Sequence, residues 1–291
     1  MKNVLLIGNP TEHSLSPIFQ QVAFDHLGFS WKYRAMTVEP PDLELIVNSM
    51  REGNIVGANV TVPYKTAVIP FLDDLAPSAK KIGAVNTIQI VKEQANSKLI
   101  GHNTDIEGIK SSISTQDVRV VSSTNSVIGT GGASLAVIFG LQSLGAKRIH
   151  LFGRDIAKVK AIIEHGWDIE IIPHDLTSIS TSQLVDLLTQ SSTVVQATSV
   201  GMTGGPAPDQ SPIQPTILES ALKKSNLKQL LFDLVYSPQN TVFLNVAANT
   251  DTAAINGLDM LIRQGAAAFE IWTARVAPVE LMRASLKEAG I

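Results

Sequence analysis

The sequence predicts an α/β fold of two domains, on three observations. Strand-like and helix-like runs alternate through its N-terminal part. A strand, a Gly-rich turn, a helix and a second strand follow one another from residue 126. The length of 291 residues suits two domains of ordinary size.

The elements can be justified in order. Val4–Ile7 is an apolar strand closed by Gly8-Asn9-Pro10. Pro17 to Leu27 places Ile18, Val22, Phe24 and Leu27 at helical spacing, with Ser16 as N-cap, Pro17 at the first helical position and Gly28 as terminator. Trp31–Val38 reads as a strand and Pro41–Met50 as a helix. Asn59–Val62 is a strand stopped by Pro63, and Ala84–Val91 another, followed by a polar, hairpin-like stretch at Gln94–Ser97. Polar residues dominate Ser111–Ser126, around Val118–Val121, and the join between domains is expected near residue 106. Ser126–Ile128 is then a short strand, Ser134–Leu144 a helix closed by Gly145, and Arg148–Phe152 a strand. Thr193–Ala197 and Leu230–Val235 are later strands, separated by a Gly/Pro-rich loop at Gly201–Pro215, and Gly257–Ala289 is mostly helical.

Composition excludes several classes of function. There are 0 cysteines, so disulfides, thiolate nucleophiles and Cys-ligated metal centres are ruled out. A net charge of −3, well mixed, offers no basic footprint for nucleic acid. No apolar run is long enough for a membrane span, and Met1–Gly8 reads as a strand rather than a signal peptide. The 6 histidines show no metal-ligand spacing, and no metal site is expected. A cytoplasmic protein is the expectation, with the choice between monomer and homodimer left open.

The turn Gly129-Thr130-Gly131-Gly132-Ala133 has the chemistry of a dinucleotide site. Glycines let the backbone approach a pyrophosphate, and the helix that follows aims N–H groups and its positive dipole end at it. At the end of the next strand, Gly153 stands where an NAD enzyme would carry an acid. Arg154 follows with a planar fork suited to a 2′-phosphate. Asp155 would repel that phosphate unless it caps the next helix. NADP is favoured, with NAD possible.

Several blocks along the chain resemble the shikimate dehydrogenase family. They are Gly8-Asn9-Pro10-x-x-His13-Ser14-Leu15-Ser16-Pro17, Asn59-Val60-Thr61-Val62-Pro63-Tyr64-Lys65, Gly83-Ala84-Val85-Asn86-Thr87 and Gly101-x-Asn103-Thr104-Asp105-x-x-Gly108. Ala197-Thr198-Ser199-Val200-Gly201-Met202, Asp233-Leu234-Val235-Tyr236-Ser237-Pro238 and Gly257-Leu258-x-Met260-Leu261-x-x-Gln264 continue the series in family order. The resemblance implies a reversible, NADPH-linked reduction of 3-dehydroshikimate to shikimate. It implies a substrate-binding catalytic domain at residues 1–105, a Rossmann-like dinucleotide domain at 106–256, and C-terminal helices at 257–291 that return to the first domain. The active site is then expected in the cleft between the domains.

By the same resemblance Lys65 is the acid–base group and Asp105 its partner, a role an ammonium can fill at a developing alkoxide. Ser14 and Ser16, two apart in an extended segment, would point the same way and hold the substrate carboxylate. Asn59, Thr61, Asn86 and Gln264 would meet the ring hydroxyls, and Tyr236 either the substrate or the core. Thr198, Ser199, Val200 and Met202 would lie by the nicotinamide, and Gly257 at the cofactor. Three departures stand out: Gly153-Arg154-Asp155 where Asn-Arg-Thr is common, Gln196 where Asn is usual, and Thr130 where Ala is frequent. A quinate or aminoshikimate dehydrogenase using NAD, and a non-catalytic metabolite sensor, are the rival readings.

Overall fold

The computed structural model describes residues 1–93, 97–120 and 123–291. They form two units, Met1–Gly108 with Leu261–Ile291, and Ile109–Met260. The first unit begins with β1 (Lys2–Gly8), α1 (Ser16–His26), β2 (Trp31–Thr37), α2 (Leu43–Ser49) and β3 (Ile55–Val60). It continues through the single turn α3 (Tyr64–Ala67), β4 (Asp74–Leu75), α4 (Pro77–Ile82), β5 (Thr87–Lys92) and β6 (Ser97–His102) to α5 (Asp105–Ser114), inside which the second unit begins.

The first unit's strands make a six-stranded sheet in the order β2-β1-β3-β5-β6-β4. β1 runs parallel to β2 and β3, whereas β5 is antiparallel to both β3 and β6. β3 and β6 therefore end at the same edge of the sheet, and β5 starts there. This direction pattern decides the site, because it gathers the ends of β1, β3 and β6 with the start of β5. Register puts Asn59 between Leu6 and Thr87, and Thr87 opposite His102. One core of this unit packs Ile7, Val47, Val60, Ile88 and Leu99, all nearly inaccessible. Burying each such side chain contributes about 1.5–3 kcal/mol.

The second unit contains β7 (Thr124–Ile128), α6 (Gly132–Ser143), β8 (Arg148–Gly153), α7 (Ile156–Ile163), β9 (Glu170–Asp175) and α8 (Thr181–Thr189). It goes on with β10 (Thr193–Gln196), α9 (Pro215–Lys224), β11 (Leu230–Asp233), α10 (Val242–Asn245) and β12 (Ala253–Ile255). Its sheet runs β12-β11-β10-β7-β8-β9 with every neighbour parallel. The order reverses between β7 and β10, the switch point at which parallel α/β sheets bind ligands. Phe152, Leu188, Val194, Leu218 and Leu231 lie in its core. The chain then enters α11 (Gly257–Thr273), within which it rejoins the first unit, and ends with α12 (Val279–Glu288).

The fold corrects several local expectations. Helix α1 begins at Ser16 itself, and Leu15, which has no side-chain acceptor, is the cap. Gly28 closes it as expected, at φ 74°, with Phe29 N–H bonded back to Phe24 O. The strand expected at Asn59–Val62 stops at Val60, because Tyr64 N–H closes a turn onto Thr61 O. The strand expected from Ala84 starts at Thr87; Val85 N–H instead bonds to Lys65 O. Pro41–Met50 opens as a tight turn at Pro40–Asp42 before α2. The C-terminal helical run is divided at Ala274, which adopts φ 52°. Of the hairpin expected at Gln94–Ser97 all but Ser97 lies outside the described residues, as does Val121.

Candidate active site

The gathered sheet edge of the first unit brings Lys65 and Asp105 together. Lys65 sits in α3 just after β3, and Asp105 opens α5 just after β6. Lys65 Nζ lies 2.6 Å from Asp105 Oδ2, with the lysine side chain 31% and the aspartate 10% exposed. The ammonium is thus half-open to a ligand while its carboxylate is nearly enclosed.

Asn86, just before β5, holds the other carboxylate oxygen: its Nδ2 donates to Asp105 Oδ1 at 2.8 Å. The orientation of that amide follows from donor chemistry. Thr104 N–H can only donate, and it reaches Asn86 Oδ1 at 2.7 Å, so the amide nitrogen must face Asp105. Gln264 of α11 joins the same group, with Oε1 3.3 Å from Asn86 Nδ2 and its own Nε2 donating to Leu261 O. Asn59 is tied as firmly. Its Nδ2 donates to Asn86 O at 3.1 Å and to Thr87 Oγ1 at 3.0 Å, which leaves Oδ1 to accept from Tyr33 at 2.7 Å. Both amide hydrogens are spent, so Asn59 can offer a ligand only a lone pair. Burial pushes the Tyr33 phenol well above its ordinary range, and a hydrogen bond from Ser16 opposes that rise.

The serine pair differs from expectation. Leu15 is helical in its backbone (φ −82°, ψ −13°), so Ser14 and Ser16 do not share an extended segment. Ser14 Oγ accepts from Ser16 N–H at 3.3 Å, and Ser16 is buried. Thr61 is half-buried past the end of β3, and no hydrogen bond engages its hydroxyl among the described residues. A Cβ on Gly8 would fall 2.3 Å from the Thr61 methyl, which is why that turn needs glycine.

The second unit builds a cradle at the ends of β7 and β8. Gly129 adopts φ 126°, and a Cβ there would lie 2.9 Å from Ala197 O. Above Gly131 and Gly132, by contrast, no atom stands within 4 Å of a built Cβ. Thr130 packs its methyl 2.7 Å from where a Gly153 Cβ would be, so position 153 has no room for the acid of an NAD site. Helix α6 starts at Gly132 with Ala133 in its first turn and with no side-chain cap. Its Ser134 hydroxyl is buried without a partner. An anion is the ligand that such uncapped N–H groups and open glycines accept. Asp155 turns to cap α7, accepting from Ala157 N–H at 3.0 Å and Lys158 N–H at 3.3 Å. Arg154 is exposed, and among the described residues no carboxylate pairs with it.

The loop after β10 is organised from beneath by Gln196. Its fully buried amide donates to Val200 O at 2.8 Å and to Thr198 O at 3.3 Å. Thr198 Oγ1 takes Val200 N–H at 3.1 Å, and Ser199 O and Met202 N close the turn at 3.3 Å. Met202 is left 39% exposed, an unusual state for that side chain. Asp233, fully buried at the end of β11, accepts from Val235 N–H at 2.9 Å and Thr241 Oγ1 at 2.6 Å. Burial raises its carboxyl to about 6 against those two hydrogen bonds. Tyr236 lies on the segment these bonds shape, in the second unit, and burial raises its phenol too. Gly257 opens α11; a Cβ there would lie 2.0 Å from Leu234 O, so its glycine answers a close backbone approach.

Tyr33, Thr87 and Thr104 are in the polar network, yet the sequence alone marks none of them for a role. Thr87 and Thr104 sit inside the two blocks that carry Asn86 and Asp105, and that adjacency was the available signal. Tyr33 meets its partner across 26 residues and has no local motif.

Residues 6–88 match the family described as the shikimate dehydrogenase substrate binding domain. Residues 257–287 match the shikimate 5′-dehydrogenase C-terminal domain. A shikimate dehydrogenase (NADP(+)) of Trichormus variabilis is 36% identical over 287 residues, 97% of this chain and 95% of its own. The structure is similar to that of shikimate 5-dehydrogenase from Listeria monocytogenes in complex with shikimate and NAD. That likeness has a TM-score of 0.87 at 31% identity, covering 98% and 96% of the two chains. The Thermus thermophilus enzyme in complex with NADP(H) and shikimate gives 0.83 at 28%, covering 99% of this chain and 100% of that one. The chain belongs to the shikimate dehydrogenase family.

Proposed function

We propose that this protein catalyses the reversible, NADP-linked interconversion of 3-dehydroshikimate and shikimate in aromatic amino acid biosynthesis. The observation that carries the reading is the Lys65–Asp105 pair at 2.6 Å, half-open at the ammonium. NADPH, when bound, supplies a hydride to the substrate carbonyl carbon. The open face of Gly131 and Gly132, the uncapped start of α6 and the unpartnered Ser134 hydroxyl suit its pyrophosphate. Arg154, with which no carboxylate among the described residues pairs while Asp155 caps α7, suits the 2′-phosphate.

During reduction Lys65 Nζ gives its proton to the oxygen that becomes the alcohol; during oxidation it receives that proton. Such a group contributes about 10²–10⁴-fold to rate. Asp105 holds Nζ through Oδ2, while Asn86 occupies Oδ1 and keeps the carboxylate facing the lysine. The Thr61 hydroxyl and the free lone pair on Asn59 Oδ1 meet ring hydroxyls, and Ser14 and Ser16 take the carboxylate. The binding pattern makes shikimate preferred over analogues that lack a hydroxyl, because buried partners would be left unpaired. A cytoplasmic monomer or homodimer goes with this reading, and sedimentation of the purified chain distinguishes the two.

The test is a matrix of initial rates, shikimate and quinate each with NADP and NAD, repeated for Arg154→Ala. Shikimate with NADP is expected to be fastest, and Arg154→Ala to raise KM for NADP about tenfold or more while leaving that for NAD nearly unchanged. No oxidation of shikimate with either cofactor would overturn the activity, and an equal effect on both KM values would overturn the role of Arg154.

A further inference from the structure

We propose that Thr87 is a positioning residue for the reaction: its hydroxyl sets the orientation in which Asn86 holds Asp105 against Lys65. The inference rests on the activity proposed above. Thr87 is fully buried, so it touches no ligand and can act only through its neighbours.

Three groups converge on its Oγ1. Asn59 Nδ2 lies at 3.0 Å, Asn86 Oδ1 at 3.0 Å and Thr104 Oγ1 at 3.1 Å, all buried. A further link closes the ring: Thr104 Oγ1 is also 3.0 Å from Asn86 Nδ2. Donor counting leaves two arrangements, and Thr87 is needed in both. Asn59 Nδ2 can only donate, so the Thr87 oxygen accepts there. Asn86 Oδ1 can only accept, so it takes either the Thr87 proton, with Thr104 donating to Thr87, or the Thr104 proton, with Thr87 donating to Thr104. Thr104 accepts from Asn86 Nδ2 in each, and the other hydrogen of Asn86 Nδ2 is directed at Asp105 Oδ1, at 2.8 Å, rather than at Gln264 Oε1, at 3.3 Å.

Without the Thr87 hydroxyl this closes differently. Asn59 loses an acceptor, and the Thr104 proton has only Asn86 Oδ1, 3.1 Å away, to go to, with no second hydroxyl beside it, while Thr104 still accepts from the same amide. Asn86 is no longer clamped from both sides. The carboxylate that orients the lysine loses its fixed donor, and misplacement of a reacting group is costly to turnover even when binding survives.

The experiment compares the parent with Thr87→Val, which keeps the shape without the hydroxyl, and Thr87→Ser, which keeps the hydroxyl. Shikimate oxidation and thermal melting are measured on each. The expected result is a kcat at least about tenfold lower in Thr87→Val at unchanged KM for the cofactor, with Thr87→Ser within about twofold of the parent. If Thr87→Val does not fold, Thr104→Val takes its place, since it removes the hydroxyl that joins Thr87 to Asn86 and keeps the Thr104 N–H. A kcat within about twofold of the parent in the folded valine variant would overturn the proposal. So would a loss that Thr87→Ser shares in full. A parent inert on shikimate with both cofactors would overturn the underlying activity instead, and this inference with it.

Discussion

Lys65 and Asp105 meet across forty positions of sequence, in a pair whose lysine side chain remains 31% exposed. An ion pair this open contributes little to stability, within about 1 kcal/mol. Under the function proposed its contribution is to turnover, and the two kinds of contribution separate cleanly. Lys65→Ala is expected to lower kcat at least about 100-fold, with far-ultraviolet circular dichroism and melting temperature close to the parent's. A variant that kept its turnover would remove Lys65 from the reaction. At this scale much was legible. Lys65, Asn86, Asp105 and Gln264 were named from their blocks, and the structure joins them through hydrogen bonds. What the blocks could not convey was how saturated each partner already is. Asn59 reads as a general hydrogen-bonding residue, yet its amide hydrogens are both consumed by Asn86 O and Thr87.

Elements were legible where local chemistry decides them and obscure where tertiary contacts do. Gly28 and Pro17 marked the ends of α1, but the cap did not follow the usual preference, because Ser16 is drawn into the helix beside Tyr33. β4, α3 and α4 have too few residues for any period to show. Between α11 and α12 the one local signal is Pro278, the cap of α12; the exit point itself is unmarked, since Ala is the best helix former yet Ala274 leaves the helix at φ 52°. A left-handed alanine costs about 1–2 kcal/mol, part of which glycine recovers. Ala274→Gly is therefore expected to stabilise the protein by about 0.5–1 kcal/mol. Urea denaturation followed by fluorescence measures it, and a lower midpoint in the variant would show that the alanine is unstrained.

At the scale of the whole molecule, the α/β class and the parallel second sheet were readable from strand–turn–helix alternation. The mixed first sheet was not, because strand direction depends on pairing partners distant in sequence. Neither was the effect of burial on Asp233. Its carboxyl titrates near 6 in the folded protein, above its ordinary value of 3.8. The folded state therefore holds the proton more tightly, and this group's contribution to stability is full below about pH 4 and lost as pH rises through 6. The difference amounts to about 3 kcal/mol. Asp233→Asn should accordingly gain on the parent between pH 4 and pH 7.5, by up to that amount. Urea midpoints at the two pH values read the gain, and a constant offset between variant and parent would contradict it.

Trp272 gives the first unit a further property. Its indole donates to Ile88 O at 3.0 Å and fills the space over Gly57, where a Cβ would stand 2.2 Å from Nε1. Gln20, near the other end of the chain, donates to Gly265 O at 2.8 Å. Residues 1–108 are thus completed by residues 261–291, which are translated only after residues 109–260. On the ribosome, residues 109–260 leave the exit tunnel with all their own strands in hand, while the earlier segment waits with its seat for α11 empty. A nascent chain stalled before Trp272 carries every strand of the second sheet, while the first sheet still lacks the indole that covers Gly57.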